Sequence, residues 1–260
     1  FPTRRSSDLG SGKTTTLYSM LNSLNSEERK IITIEDPVEY QFNGITQVSV
    51  NSKSSNDVKF GDKLRAVLRL DPDVVMVGEI RDMDTAKTAM QASLTGHLVL
   101  STFHASSASA ALTRMIDVIG ENPLFVSAIR LVMAQRLVRR LDPTTKIAYT
   151  PEQQVVARLQ QIIDTLPPNI PKPQLTNIKL YKPGKSAENP FGYKGQIALR
   201  EQLVMTDNLR VLVQQDKTHL STQMIEQAAV QGGMLTMLHN ALFKLLAGET
   251  TVEEVFRVLG

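Results

Sequence analysis

A glycine-rich stretch near the start of the chain carries residue types that hold phosphate groups. Residues 10–14 read GSGKT and match the second half of the phosphate-binding pattern G-x-x-x-x-G-K-[ST]. In such a loop the backbone N–H groups surround the phosphates, the lysine reaches the β and γ oxygens, and the hydroxyl binds Mg²⁺. We therefore expect a site for a nucleoside triphosphate and Mg²⁺. The residues expected to bind the nucleotide are Gly10, Ser11, Gly12, Lys13, Thr14 and Thr15.

The entrance to this loop departs from the pattern. The first glycine should stand at position 7, where the chain has Ser7, and an apolar strand should precede the loop, whereas 1–9 is mostly polar. We expect residues 1–9 to be a foreign or artefactual segment. The alternative, a glycine- and serine-rich helix cap, is disfavoured by the apolar helix stripe over 17–24, because a phosphate loop must lead directly into a helix.

Carboxylates follow two short apolar runs that we expect to be buried strands, 31–34 and 74–77. Open α/β sheets bind ligands at the carboxyl ends of their strands. A carboxylate at that edge can hold the water shell of a metal or orient an attacking water, so these residues predict hydrolysis of the bound triphosphate. The alternative is that they are solvated turn residues. The candidate catalytic acids are Glu35, Asp36, Glu39 and Glu79, and Glu79 is also a candidate ligand of Mg²⁺ together with Thr14.

Two histidines bracket a third predicted strand, 98–102. His97 precedes it and His104 follows it. Either side chain could hydrogen-bond a γ-phosphate or relay its presence, and an ordinary polar contact is the alternative. We include both as candidate catalytic residues.

Strands and helices alternate over the first half of the chain. Helices are predicted before, between and after the three strands, over 17–24, 63–70, 84–94, 107–118 and 123–141, whereas 43–56 is polar and carries no predicted element. This alternation predicts an α/β fold with a parallel sheet covered on both faces. Residues 142–195 hold eight of the 12 prolines and read as an irregular insertion with one helix near 152–166. From 196 onward the chain is predicted to be helical.

Composition excludes some classes of protein. The chain has no cysteine, which rules out disulfides and thiolate metal sites. Its apolar runs are shorter than the roughly 18 residues of a membrane span. A formal net charge of +3 over 260 residues is mild and does not argue for nucleic-acid binding.

Five motifs in order give the chain a specific resemblance. The stretches GSGKTTTLY, ITIEDPVEY, LRLDPDVVMVGEIRD, TGHLVLSTFHA and AQRLVRRL closely resemble the ATPases of type II secretion and type IV pilus assembly, from about residue 10 to 260. The resemblance implies a RecA-like P-loop NTPase core followed by the insertion and a C-terminal helical region. Gly78 stands where ordinary Walker B strands end in aspartate, which is usual for this family.

The resemblance also assigns the candidate site residues by motif. The Walker A residues that bind nucleotide and Mg²⁺ match Gly12, Lys13 and Thr14. The "Asp box" acids match Glu35, Asp36 and Glu39, the Walker B glutamate matches Glu79, and the "His box" histidines match His97 and His104.

A hexameric motor is what the resemblance implies about function. It implies a cytoplasmic homohexamer that uses ATP and Mg²⁺ and works at the inner face of the cytoplasmic membrane. Membrane association would be peripheral, through an inner-membrane platform protein of a pilus or secretion system, and no nucleic acid would be bound. The retained insertion favours an assembly or secretion motor over a retraction motor.

The insertion departs from the family at its metal site. Relatives usually carry two C-x-x-C pairs that bind zinc, and here the corresponding positions are Asp142, Thr145, Lys185 and Glu188. No zinc is therefore expected. We hypothesise that Asp142, Lys185 and Glu188 lie close and replace metal ligation with polar contacts, the alternative being a loosened loop.

The predicted organisation has four parts and leaves two other functions open. The parts are the foreign segment 1–9, the RecA-like core 10–141, the degenerate zinc subdomain 142–195 and the helical region 196–260. We expect the family's upstream domain to be absent, which would leave this chain a weak hydrolase. The missing glycine at position 7 keeps open a non-catalytic nucleotide-binding assembly subunit. A nucleic-acid translocase of related fold is less favoured, because no dense Lys/Arg stripe with interleaved aromatic residues is present.

Overall fold

The computed structural model describes residues 10–50, 60–119, 123–215 and 220–260. The predicted foreign segment 1–9, with Ser7, lies outside the described residues. The helices are α1 (Lys13–Leu24), α2 (Phe60–Leu68), α3 (Met83–Leu94), α4 (Ala108–Ile119), α5 (Pro123–Ala128), α6 (Gln153–Asp164), α7 (Asp207–Gln215), α8 (Thr222–Gln231), α9 (Met237–Leu246) and α10 (Val252–Leu259). The strands are β1 (Ile31–Glu35), β2 (Ile45–Ser49), β3 (Val74–Val77), β4 (Leu98–Ser101), β5 (Leu131–Leu141), β6 (Ile147–Tyr149), β7 (Leu180–Lys182) and β8 (Tyr193–Val204).

A parallel sheet forms the core of the first half. Among the described residues its strand order is β2-β1-β3-β4, and every neighbouring pair is parallel. The residues of β1 and β3 are all buried, as expected for strands covered by helices on both faces. The predicted α/β fold is confirmed.

The strand β2 was missed by the sequence analysis, which assigned no element to 43–56. Its five residues read ITQVS, and only Ile45 is fully buried. It pairs with the fully buried β1 in register from Ile31–Ile45 to Glu35–Ser49. The neighbouring strand, rather than a strong apolar pattern of its own, therefore defines β2.

The prediction for the middle of the chain was wrong over two long stretches. The predicted helix 123–141 is the short α5 followed by the 11-residue strand β5, and the region predicted helical from 196 begins inside the 12-residue strand β8. The two strands pair antiparallel from Leu131–Val204 to Leu141–Tyr193, with a register shift near Arg139. This β5–β8 ribbon connects the parallel sheet region to the C-terminal helices.

Two apolar clusters pack around the ribbon. One joins α4, α5, α7 and α8 to the Leu203 end of β8, and the other joins α6, α9 and α10 to Val138 and Leu199. The predicted helix near 152–166 is present as α6. No helix within the described ranges is both long enough and apolar enough to cross a membrane.

Candidate active site

Seven of the twelve predicted site residues meet in one cleft. It has a volume of about 200 Å³ and lies where the carboxyl ends of β1, β3 and β4 face the start of α1. The predicted residues that line it are Lys13, Thr14, Glu35, Asp36, Glu39, Glu79 and His104. Residues from four motifs, separated by up to 91 positions in the chain, therefore share one concave surface.

The phosphate-binding loop enters α1 through left-handed backbone. Gly10 has φ 99° and Gly12 has φ 80°, a region that side chains with a Cβ rarely adopt. Gly12 is the N-cap of α1 and provides no side-chain cap. The first N–H groups of the helix are therefore without a side-chain cap and can donate to an anion.

A glutamine of the ribbon fixes this loop from the side. Gln135 on β5 donates from Nε2 to the Ser11 carbonyl at 2.6 Å and accepts from the Thr16 hydroxyl at 2.9 Å. A Cβ added to Gly12 would lie 2.9 Å from the same Nε2. One amide thus holds both the loop and the first turns of α1.

His104 lies between Lys13 and Glu79. Its Nδ1 is 3.4 Å from the Lys13 ammonium nitrogen, and its Nε2 contacts a carboxylate oxygen of Glu79. Because an ammonium group only donates, a hydrogen bond to Nδ1 requires that this nitrogen carry no proton, which places the ring proton on Nε2 toward Glu79. The imidazole of His104 therefore connects the loop lysine to the carboxylate after β3.

Arg81 balances the acids on the other side of the cleft. Its Nε donates to Glu79 at 2.7 Å, and its guanidinium lies 3.6 Å from Asp36. Both carboxylate oxygens of Glu79 therefore have a donor, one from His104 and one from Arg81. The ion pairs bring the acid after β1 and the acid after β3 to one cation.

Glu39 has a different environment. It is exposed, and its Oε1 accepts from the Thr14 hydroxyl at 3.5 Å. Its second oxygen makes no hydrogen bond or ion pair within the part of the chain that the structure describes. This oxygen is therefore available to accept a hydrogen bond from a water molecule in the cleft.

Glu35 is buried, with 4% of its surface exposed. It accepts from the Tyr18 hydroxyl on one oxygen, and from Thr33 at 2.5 Å and Gln47 at 3.1 Å on the other. A buried carboxylate needs such donors, since burying an uncompensated charge is costly. Three donors leave Glu35 better suited to hold neighbouring structure than to move a proton.

Five predicted residues do not line the cleft, namely Gly10, Ser11 and Gly12 of the loop before α1, Thr15 and His97. His97 precedes β4, on the sheet edge opposite His104, and its Nδ1 lies 3.0 Å from the carbonyl of Ala92 and 3.1 Å from Thr95. His97 therefore does not share this cleft with His104, and its predicted catalytic role stays a prediction. Thr15 is exposed on α1 and does not line the cleft.

Three residues of the site were missed by the sequence analysis. Tyr18 and Gln135 lie inside motifs quoted above, and Arg81 follows Glu79 by two positions. Arg81 had a usable signal, since a cation so close to a candidate acid at a strand end is well placed to pair with it. For Gln135 no signal existed while 123–141 was assigned to a helix.

The degenerate zinc position is held together, but not by the predicted partners. Asp142 accepts from Thr144 and from Asn189 Nδ2, the latter at 2.8 Å. These hydrogen bonds lower its pKa to about 2. Within the described ranges no hydrogen bond or ion pair joins Asp142 to Lys185 or Glu188, so polar contacts are present but Asn189, not those two residues, makes them.

The comparison with known proteins decides the family. The sequence model of a family described as "Type II/IV secretion system protein" matches residues 6–257. The chain belongs to this family. It is 44% identical over 249 residues to the type II secretion system protein E of Xanthomonas campestris pv. campestris, and 42% identical over 252 residues to a putative type II secretion system protein E of Escherichia coli K12. Each alignment covers 96% of this chain but only 42% and 47% of the relative, so the chain spans about half the length of these secretion-system proteins.

Solved structures agree with this assignment at the level of the fold. The pilus retraction motor PilT with bound ADP aligns with a TM-score of 0.64 and 26% identity, over 94% of this chain and 57% of that one. The ATPase DotB of Legionella pneumophila aligns with a TM-score of 0.64 and 22% identity, over 95% of this chain and 56% of that one. The fold of this family member is therefore that of the RecA-like secretion ATPases.

Proposed function

We propose that this chain is the ATP-hydrolysing unit of a motor that drives type II secretion or type IV pilus assembly. The observation that carries the proposal is the cleft itself, in which Lys13, Thr14 and four carboxylates converge at the uncapped start of α1. The ADP bound to PilT, a protein of similar fold, supports a nucleotide as the ligand.

The loop side of the cleft would bind the phosphates. The N–H groups at the start of α1 donate to phosphate oxygens, and the Lys13 ammonium neutralises their charge. In the structure that ammonium contacts His104 at 3.4 Å. A group bound by the Lys13 ammonium would therefore also lie close to His104.

The acids of the cleft fit a metal that arrives with its substrate. No group of three or more His, Cys, Asp or Glu residues in the described ranges is placed to hold a metal ion alone. Mg²⁺ is usually held by one or two protein side chains together with substrate phosphates, and Thr14 and, through water, Glu79 would hold it here. When bound, Mg²⁺ supplies neutralisation of the charge on the phosphate oxygens.

Glu39 is the residue that we assign to the attacking water. One carboxylate oxygen of Glu39 accepts from the Thr14 hydroxyl and the other has no protein donor among the described residues, whereas both oxygens of Glu79 and both of Glu35 already accept from protein donors. Glu79 then keeps His104 and Arg81 in place and holds part of the metal's water shell. This division of roles leaves Asp36 as the partner of Arg81.

Substitution of the two acids tests the proposal. Glu39→Gln and Glu79→Gln should each lower phosphate release by at least about 100-fold while the affinity for a fluorescent ADP analogue changes by less than about threefold. Glu27→Gln, at an exposed position outside the cleft, is the matched control and should behave as the wild type. Wild-type turnover in Glu39→Gln would refute the role of that residue, and no phosphate release from the unsubstituted full-length protein would favour the non-catalytic alternative.

The setting of the motor follows from the family and stands as part of the proposal. The full-length protein would form a homohexamer in the cytoplasm, attached to the inner face of the membrane through a platform protein, without binding nucleic acid. The division predicted from the sequence into 1–9, 10–141, 142–195 and 196–260 is part of the same proposal, although strand β8 crosses the last boundary and only the part from α7 onward is helical. Light scattering on the full-length protein with nucleotide should give the mass of a hexamer, and a monomer at micromolar concentration would contradict it.

A further inference from the structure

Neither the sequence motifs nor the proposed hydrolysis assigns a role to Tyr18. It lies on α1, five residues after Lys13, and only 6% of its surface is exposed. Its ring meets Phe42 edge-on at 5.1 Å between centroids and Tyr40 at 6.0 Å. The ring of Tyr18 therefore packs helix α1 against the segment that follows β1.

The hydroxyl of Tyr18 has two partners with defined directions. It donates to the buried carboxylate of Glu35 and accepts from the backbone N–H of Glu39 at 3.2 Å. A phenol has a single proton, and a carboxylate can only accept, so the lone pair of the oxygen is left for the N–H of Glu39. Burial and then the hydrogen bond to Glu35 raise the pKa of Tyr18 to about 12, so the hydroxyl remains a donor at neutral pH.

Glu35 is itself fixed, and this makes the arrangement rigid. Thr33 from β1 and Gln47 from β2 hold its other oxygen. The position of the Tyr18 oxygen is thus set by the parallel sheet on one side and by α1 on the other. Glu39 is joined to α1 twice, through its backbone to Tyr18 and through its carboxylate to Thr14 at 3.5 Å.

We propose that Tyr18 is a positioning residue, which uses the buried carboxylate of Glu35 as an anchor and holds the backbone of Glu39 so that the Glu39 carboxylate stays beside Thr14. The proposal rests on the proposed function, because it makes Tyr18 act through the residue assigned to the attacking water. Tyr18 does not touch the nucleotide in this scheme, so its removal affects turnover and leaves nucleotide binding intact.

Tyr18→Phe removes the hydroxyl and keeps the ring with its two aromatic contacts. We expect kcat to fall by about tenfold, while KM for ATP and the affinity for a fluorescent ADP analogue change by less than about twofold. Tyr40→Phe is the matched control, since it removes a hydroxyl from the same aromatic cluster at a side chain that is 68% exposed and makes no hydrogen bond through that hydroxyl among the described residues. It should behave as the wild type.

A double variant separates positioning from simple stabilisation of the fold. If Tyr18 acts through Glu39, then Tyr18→Phe should cost nothing further in a Glu39→Gln background, because the carboxylate that it positions is already lost. A residue that only stabilises the domain would lower turnover by the same factor in both backgrounds. Equal factors, or an unchanged kcat in Tyr18→Phe, would overturn the proposal.

Hydrogen exchange reads the same contact without any hydrolysis. The amide of Glu39 should exchange about tenfold faster in Tyr18→Phe than in the wild type or in Tyr40→Phe, because it loses its acceptor. Unchanged exchange would overturn the proposal whatever the kinetics show. If the unsubstituted protein released no phosphate, the proposed function would fail while this measurement still decided whether Tyr18 holds Glu39.

A second variant covers the case in which Tyr18→Phe does not fold. Glu35→Gln weakens the anchor with little change in size and should give the same faster exchange of the Glu39 amide. Normal exchange in Glu35→Gln would overturn the proposal.

Discussion

The amide of Gln135 donates to the carbonyl of Ser11 at 2.6 Å, although the two residues are 124 positions apart. The peptide between Ser11 and Gly12 is planar and trans, so its N–H points away from the carbonyl. A carbonyl held by Gln135 therefore turns the Gly12 N–H away from the ribbon. The β5–β8 ribbon thus sets the orientation of one peptide of the phosphate-binding loop.

Loss of this amide should weaken nucleotide binding. Gln135→Met keeps the size of the side chain but leaves the Ser11 carbonyl and the Thr16 hydroxyl without their partner. We expect the affinity for a fluorescent ADP analogue to fall by about tenfold, since an unsatisfied group costs about 1–3 kcal/mol. Gln202→Met, at an exposed position on β8, is the control. Equal affinities in the two variants would show that the contact does not shape the loop.

The two glycines of the loop should respond differently to alanine. Both have positive φ, which costs about 1–2 kcal/mol for a residue with a Cβ. At Gly10 a Cβ meets nothing within 4 Å, whereas at Gly12 it lies 2.9 Å from Gln135 Nε2. Gly12→Ala should therefore lower the urea midpoint more than Gly10→Ala, and the additional loss should disappear when Gln135→Ala is present. The same loss in both backgrounds would contradict the steric explanation.

The acidic edge of the sheet could be predicted from the sequence because local signals were sufficient. The runs 31–34 and 74–77 are short, apolar and followed by acids, and parallel strands bring their carboxyl ends to one edge. The same geometry places His97 away from the cleft that contains Glu79. A strand rises about 3.3 Å per residue, so a residue before β4 and a residue after it lie on opposite edges, and only His104 can share the cleft with Glu79.

The ribbon could not be predicted from the same signals. Residues 131–141 place apolar side chains at spacings that fit a helix as well as a strand, and short patterns of this kind are ambiguous. The partner strand begins 62 positions after the start of β5. Because pairing at this separation decides the conformation, Gln135 and its contact with the loop were out of reach of local reasoning.

Glu254 should make folding stability depend on pH. Burial alone would raise its pKa, but hydrogen bonds from Arg257 and Arg139 outweigh burial and lower it from an ordinary value of 4.5 to about 2. A carboxyl group whose pKa is lower in the folded state stabilises the fold above pH 4.5, and this contribution is lost as the pH falls toward 2. Its size is on the order of 3 kcal/mol.

Urea unfolding at several pH values tests this prediction. Glu254→Gln should be less stable than the wild type at pH 7, and the difference should shrink between pH 4.5 and about 2. Glu253→Gln changes an exposed neighbour on the same helix and should show no such dependence. A constant difference between Glu254→Gln and the wild type across this range would contradict the assignment.

The insertion should depend on Asp142 and Asn189 rather than on the other former zinc positions. Asp142 accepts from Asn189 Nδ2 at 2.8 Å, and Asn189 also donates to the Tyr193 carbonyl at 3.1 Å, so the pair joins the start of the insertion to β8. Asn189→Leu should lower the melting temperature at pH 7. Lys185→Met and Glu188→Gln should leave it unchanged, because neither side chain makes a hydrogen bond or ion pair with Asp142 among the described residues.

Nucleotide binding provides the second readout for the same variants. The insertion residues do not line the cleft, so Asn189→Leu should keep the wild-type affinity for a fluorescent ADP analogue at a temperature where it is folded.

The stabilising effect of Asp142 should also fade as the pH falls from 3.8 toward 2, since its pKa is depressed to about 2. A loss of stability in Lys185→Met or Glu188→Gln equal to that of Asn189→Leu would restore the three-residue cluster expected from the sequence and contradict the hydrogen-bond pattern of the structure.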